Sequence, residues 1–120
     1  MQLQLPKHLY KRICQLSAAG DSFAKQGAYE DAISKYSEAW TLAPEPKNEW
    51  EASTWLLAAI GDACFLSGYL ISAIEAFSYA LTCPNGSINP FISLRIGQSL
   101  YDKNKYTEAS QYLCKAYMKV

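Results

Sequence analysis

The side chains able to do covalent chemistry are few in this chain and far apart. His8 is the single histidine. Cys14 follows six residues later, and a thiol beside an imidazole is the make-up of a cysteine nucleophile with its base. On one helix, however, six residues turn the chain through about 600°, so the two groups face away from each other. The remaining thiols, Cys64, Cys83 and Cys114, are widely spaced and form no C-x-x-C. They read as single thiols of a reducing cytosol, not as zinc ligands or disulfides. Glu49 and Glu51 lie two apart, which on a helix points them to different faces. Glu30 and Asp31 open a helix, where each complements the dipole by ~0.3–1 kcal/mol. No glycine cluster has the spacing of a dinucleotide or phosphate loop. One histidine supplies neither a histidine metal pair nor a Ser-His-Asp triad. The chain is therefore expected to be no enzyme and to carry no metal and no cofactor.

Composition narrows the class. With 120 residues the chain has material for one domain, 1–120, and one core. Half of it is hydrophobic and 18% is charged, which excludes intrinsic disorder. Lys and Arg number 11 against 11 Asp and Glu. A net charge of zero argues against a nucleic-acid partner held by phosphate neutralisation. The apolar stretch Thr54–Ile71 has 18 residues, the lower limit for a membrane span. Gly61, Asp62 and Gly68 interrupt it, so it is read as helix and turn, with no membrane crossing. The N-terminal residues have no apolar run ahead of Lys7, Lys11 and Arg12. No secretory signal is expected, and the location expected is cytoplasmic.

The elements that must position any site are repeated. Gly20, Gly61 and Gly97 each precede an alanine by twelve residues (Ala32, Ala73, Ala109) and a second by nineteen (Ala39, Ala80, Ala116). Bulky residues recur at plus nine (Tyr29, Leu70, Tyr106) and plus sixteen (Tyr36, Phe77, Leu113). At plus seven stand Gly27, Gly68 and Asn104, which tolerate the positive φ of a helix C-terminal cap. Each unit reads as helix, turn, helix. The helices are expected over Lys7–Gln26 and Tyr29–Leu42, Glu49–Ser67 and Tyr69–Thr82, and Pro90–Lys103 and Tyr106 onward. Pro44, Pro46 and the C-P-N-G at Cys83–Gly86 separate the units. Asn89 before Pro90 is a capping residue followed by one without an N–H to satisfy. The glycines are expected to lie at close helix crossings, Gly20 against Ala32, Gly61 against Ala73 and Gly97 against Ala109. A larger residue there would force the helices apart at ~1–3 kcal/mol.

Ala24–Pro44, AKQGAYEDAISKYSEAWTLAP, resembles the second half of a tetratricopeptide repeat, and the other two units resemble it more loosely. The three repeats fall at 7–44, 47–84 and 89–120. The glycine-to-glycine intervals of 41 and 36 residues exceed the usual ~34, so longer loops or helix ends must absorb the difference. The resemblance implies an all-α fold: a short right-handed solenoid of three helix-turn-helix hairpins. It also implies a partner-binding groove lined by the first helix of each unit. Carried over, that groove is Asp21 and Lys25; then Trp55, Ala58, Asp62 and Phe65; then Phe91, Leu94, Arg95, Gln98 and Tyr101. Chaperone-binding members of the family grip a terminal carboxylate. Asp21 and Asp62, standing at matching places, would repel it and favour a Lys- or Arg-bearing partner. PEPKNEWEASTWLLAAIGDACF with NPFISLRIGQ is similar to small bacterial repeat proteins, some encoded beside polymorphic toxins. That similarity implies an immunity protein that occludes a toxin with a basic surface. An adaptor or chaperone-like protein for a peptide or subunit is one alternative, and a self-assembling structural protein is another.

Charge and aromatic placement add two expectations. From Asn48 to Leu94 there is no Lys or Arg, and the only charges are Glu49, Glu51, Asp62 and Glu75. Trp50, Trp55, Phe65 and Tyr69 in this segment exceed what a core needs, and aromatic residues are frequent at interface hot spots. The last helix carries Tyr112, Leu113, Cys114, Tyr117, Met118 and Val120 with no capping helix after it. Its surface suggests a homodimer or another partner. Lys7, His8, Lys11 and Arg12 read as a solvated helix flank.

Overall fold

The computed structural model describes residues 5–118. All regular structure among them is helical. Six α-helices run α1 Lys7–Lys25, α2 Tyr29–Leu42, α3 Glu51–Leu66, α4 Leu70–Ala80, α5 Pro90–Asp102 and α6 Tyr106–Met118, with one 3₁₀ turn at Lys47–Glu49. They pair as three hairpins, α1 with α2, α3 with α4 and α5 with α6, and each hairpin packs on the next through α2 and α3 or α4 and α5.

The three hairpin turns share one hydrogen-bond pattern. Gly27, Gly68 and Asn104 adopt φ of 77°, 88° and 65°. The residue after each returns its N–H to a carbonyl five residues back: Ala28 to Phe23 at 2.9 Å, Tyr69 to Cys64 at 2.8 Å and Lys105 to Leu100 at 2.9 Å. The left-handed residue itself bonds three back, to Ala24, Phe65 and Tyr101. This is the Schellman closure, which satisfies carbonyls that a helix end would otherwise leave open. The second helix then starts identically, with Ala32, Ala73 and Ala109 donating to Ala28, Tyr69 and Lys105.

The connections between hairpins are where the additional residues go. After α2 the chain is tied down at four points. Lys47 Nζ donates to the carbonyls of Trp40 at 2.8 Å and Ala43 at 2.5 Å, a cation at a helix C-terminus. Trp50 Nε1 donates to the Pro44 carbonyl at 2.8 Å. Ser53 Oγ bonds the Lys47 carbonyl at 2.5 Å, and Thr54 Oγ1 bonds that of Pro84 at 2.8 Å. Before α5, Gly86 lies against the Ala80 carbonyl where no Cβ fits. Asn89 caps α5 by accepting from the Phe91 N–H at 2.9 Å and the Ile92 N–H at 3.4 Å. The second hairpin begins later than expected: α3 starts at Glu51, because the 3₁₀ turn takes up Lys47–Glu49.

The glycines and alanines divide the labour differently from the expected pairing. Ala32, Ala73 and Ala109 are fully buried, as are Ala39 and Ala80. Yet what fills the space above each glycine is the bulky residue sixteen positions on. A Cβ at Gly20 would come within 2.5 Å of the Tyr36 ring, at Gly61 within 2.8 Å of Phe77, and at Gly97 within 2.7 Å of Leu113. In the third unit the Ala109 carbonyl also approaches, at 3.2 Å. The nearest approach to each glycine is thus a large side chain, Tyr36, Phe77 or Leu113.

The main core lies between the second and third hairpins, around Leu57, Phe77, Ile92, Ile96 and Leu100. A smaller one joins Ile13, Leu16 and Ala39 to Leu56 of α3. Trp50, expected at an interface, is only 8% exposed and belongs to the interior. Cys64 and Cys83 are buried, which pushes both thiols up and makes them poor nucleophiles. His8 is exposed on α1 with Lys7, Lys11 and Arg12. Among the described residues no helix is long and apolar enough to cross a membrane.

Candidate partner-binding cleft

The first helix of each hairpin faces a shared cleft of about 370 Å³. It is lined by Asp21, Ala24 and Lys25 from α1, Tyr29 and Tyr36 from α2, Ala58, Ala59, Asp62, Ala63 and Leu66 from α3, and Phe91 from α5. The alanines leave the space and the longer residues wall it.

Because Gly20 has no side chain, the Tyr36 ring crosses α1 there. Its hydroxyl donates to Asp21 Oδ1 at 2.5 Å. Burial first, then this hydrogen bond and the negative charge of Asp21 and Asp62, push the Tyr36 phenol well above the ordinary tyrosine value. It therefore stays a neutral donor. Phe77 lies over Gly61 in the same way, and Phe91 meets it edge to face, with centroids 6.3 Å apart. Tyr69 links neighbouring hairpins by donating to Glu30 Oε1 at 2.6 Å, which raises its own phenol.

Asp62 is not available as expected. Arg95 Nε lies 2.8 Å from Asp62 Oδ1, with the two side chains 22% and 31% exposed. Both atoms are shut off from solvent without a well-aligned hydrogen bond, so the contact is an ion pair in which the N–H does not point at the oxygen. The guanidinium also sits 4.7 Å from the Phe65 ring and 5.4 Å from Phe91, and donates to Gln98 Oε1 at 2.9 Å. The acidic pair read from the sequence is thus reduced to one carboxylate, Asp21, which makes no ion pair among the described residues.

Of the groove residues carried over from the family resemblance, Asp21, Lys25, Ala58, Asp62 and Phe91 meet in the cleft. Arg95, Phe65 and Gln98 form the clasp beside it instead. Trp55 is 38% exposed outside the lining, Leu94 is half-buried, and Tyr101 is exposed and meets Tyr106 edge to face with centroids 5.0 Å apart. Sequence reasoning missed Ala24, Tyr29, Tyr36, Ala59, Ala63 and Leu66. Tyr36 had a signal: a long side chain sixteen residues after a glycine can cross to the far side of the first helix. On α6, Leu113 is used inside over Gly97 and Tyr112 packs on the core, leaving Cys114 and Tyr117 exposed. The side chains of Met118 and Val120 lie outside the described residues.

No protein-family model matches the chain, and no curated protein matches it either. The geometry of the cleft is therefore the ground for a functional reading. Among the described residues no three His, Cys, Asp or Glu side chains cluster in a way that would hold a metal ion.

Proposed function

We propose that the three hairpins form a short right-handed solenoid of the tetratricopeptide-repeat kind and act as a non-catalytic protein-binding module. The observation that carries this reading is the cleft itself, a concavity walled by tyrosine, phenylalanine and leucine over a floor of alanines. Aromatic side chains over small residues are the composition of protein-recognition surfaces. The thrice-repeated turn and glycine-crossing geometry supports the repeat assignment.

The partner we infer is a cognate toxin, held in the bacterial cytoplasm and blocked by occlusion of its working surface, as the similarity to small bacterial repeat proteins implies. The test is co-expression with the toxin-like product of a neighbouring gene. Rescue of growth, lost when the cleft is filled by Ala59→Trp in a variant that keeps its helical circular dichroism, supports the reading. Full rescue by the cleft-filled variant moves the binding surface elsewhere. Binding of an isolated peptide without any rescue would favour an adaptor.

A further inference from the structure

We propose that the cleft receives a lysine or arginine side chain of the partner polypeptide, seated between the Asp21 carboxylate and the wall made by Tyr29 and Phe91. This rests on the protein-binding reading above and narrows it to one chemistry.

The protein already holds one cation this way. Arg95 is gripped by a carboxylate, Asp62, and by two aromatic rings, Phe65 and Phe91. Phe91 also lines the cleft, where a carboxylate and aromatic side chains stand together and no ion pair forms to that carboxylate among the described residues. Asp21 supplies the carboxylate, and Tyr29 with Phe91 supplies the aromatic wall, while the buried Tyr36 contributes its hydroxyl to Asp21. Cations are attracted to ring faces as well as to carboxylates, and more strongly where water is partly excluded. The Tyr36 hydroxyl fixes one oxygen of Asp21, which pre-organises the carboxylate and leaves its remaining lone pairs free. Leu66 and the alanine floor suit the methylene stem that Lys and Arg bury while keeping their charge toward polar surroundings. A volume of about 370 Å³ is at the small end of ligand pockets, ~300–1,000 Å³, fitting one long side chain and not a helix. A carboxylate would meet the unpaired Asp21. Lys25 is the one opposing charge on the lining, and it lies four residues from Asp21 on α1.

The experiment titrates the full chain with pentapeptides that differ only in a central arginine, lysine, citrulline or glutamate, read by amide chemical shifts. The arginine and lysine peptides should shift the amides of Asp21, Ala59 and Phe91 saturably, and citrulline should bind about tenfold more weakly. Asp21→Asn keeps an acceptor for Tyr36 and should lose about the same factor. Lys25→Ala should tighten binding. Citrulline binding as well as arginine, an unchanged affinity in Asp21→Asn, or no saturable shift with any peptide would each overturn the proposal. The broader protein-binding reading fails by a different result: the unmodified chain neither rescues growth nor co-purifies with the product of the neighbouring gene.

Discussion

The hydroxyl of Tyr36 reaches Asp21 across the one position of α1 that has no side chain, Gly20. A residue of the second helix thereby becomes part of the surface presented by the first. The hydrogen bond also ties the two helices of the hairpin together at the cleft.

Alkaline pH should loosen this tie. The Tyr36 phenol is raised above its ordinary value of 10.0, chiefly by burial and then by Asp21. A group with a raised folded-state value contributes stability that is complete below its unfolded value and is lost as pH climbs above about 10. Urea denaturation of the wild type should weaken over that range. Tyr36→Phe should start less stable near neutrality and fall less steeply; parallel curves for the two chains would contradict the assignment.

Gly61→Ala should destabilise by ~1–3 kcal/mol, because Phe77 is fully buried and has nowhere to retreat. Shrinking the ring should absorb part of the damage. The double variant Gly61→Ala with Phe77→Leu should then lose less than the sum of the single losses, measured as a coupling energy by denaturant titration. Simple additivity would mean that the two residues do not press on one another.

Gly68→Ala should cost ~1–2 kcal/mol although nothing lies within 4 Å of the added methyl group. The cost comes from the backbone, held at φ 88°. Asn104 sits at φ 65° in the equivalent turn, so Gly68→Asn should be milder than Gly68→Ala. Thermal melts of the three chains give the order directly.

Asp62→Asn and Arg95→Met should each lower stability, with a coupling of ~0.5–1 kcal/mol in the double-variant cycle. The ion pair is only partly buried, so raised salt should shrink this coupling. Asp62→Lys would set two cations against each other and should destabilise the chain as well as alter the cleft. A coupling near zero would reduce the clasp to its aromatic contacts.

Much of the fold was legible because it depends on residues whose backbone preferences are strong. Gly27, Gly68 and Asn104 announce left-handed turns, Asn89 with Pro90 announces a helix start, and the recurring alanines mark buried faces. Periodicity states which face of a helix is covered. It does not state how far a side chain reaches, and there the reading stopped. Ala32 was expected above Gly20, and Tyr36 occupies that space. Arg95 and Asp62 were both placed on the groove, but their mutual neutralisation depends on the offset between α3 and α5, which no single-helix pattern encodes. Trp50 looked surplus to the interior because the loop it braces, from Pro44 onward, has no periodic signature.

Ser53 and Thr54 are neighbours on α3, and they point their hydroxyls in opposite directions along the chain, back to Lys47 and ahead to Pro84. Two adjacent small polar residues thus fasten the connections on both sides of the second hairpin. Both hydroxyls are buried, so an apolar replacement at either position strips a loop carbonyl of its partner in the interior.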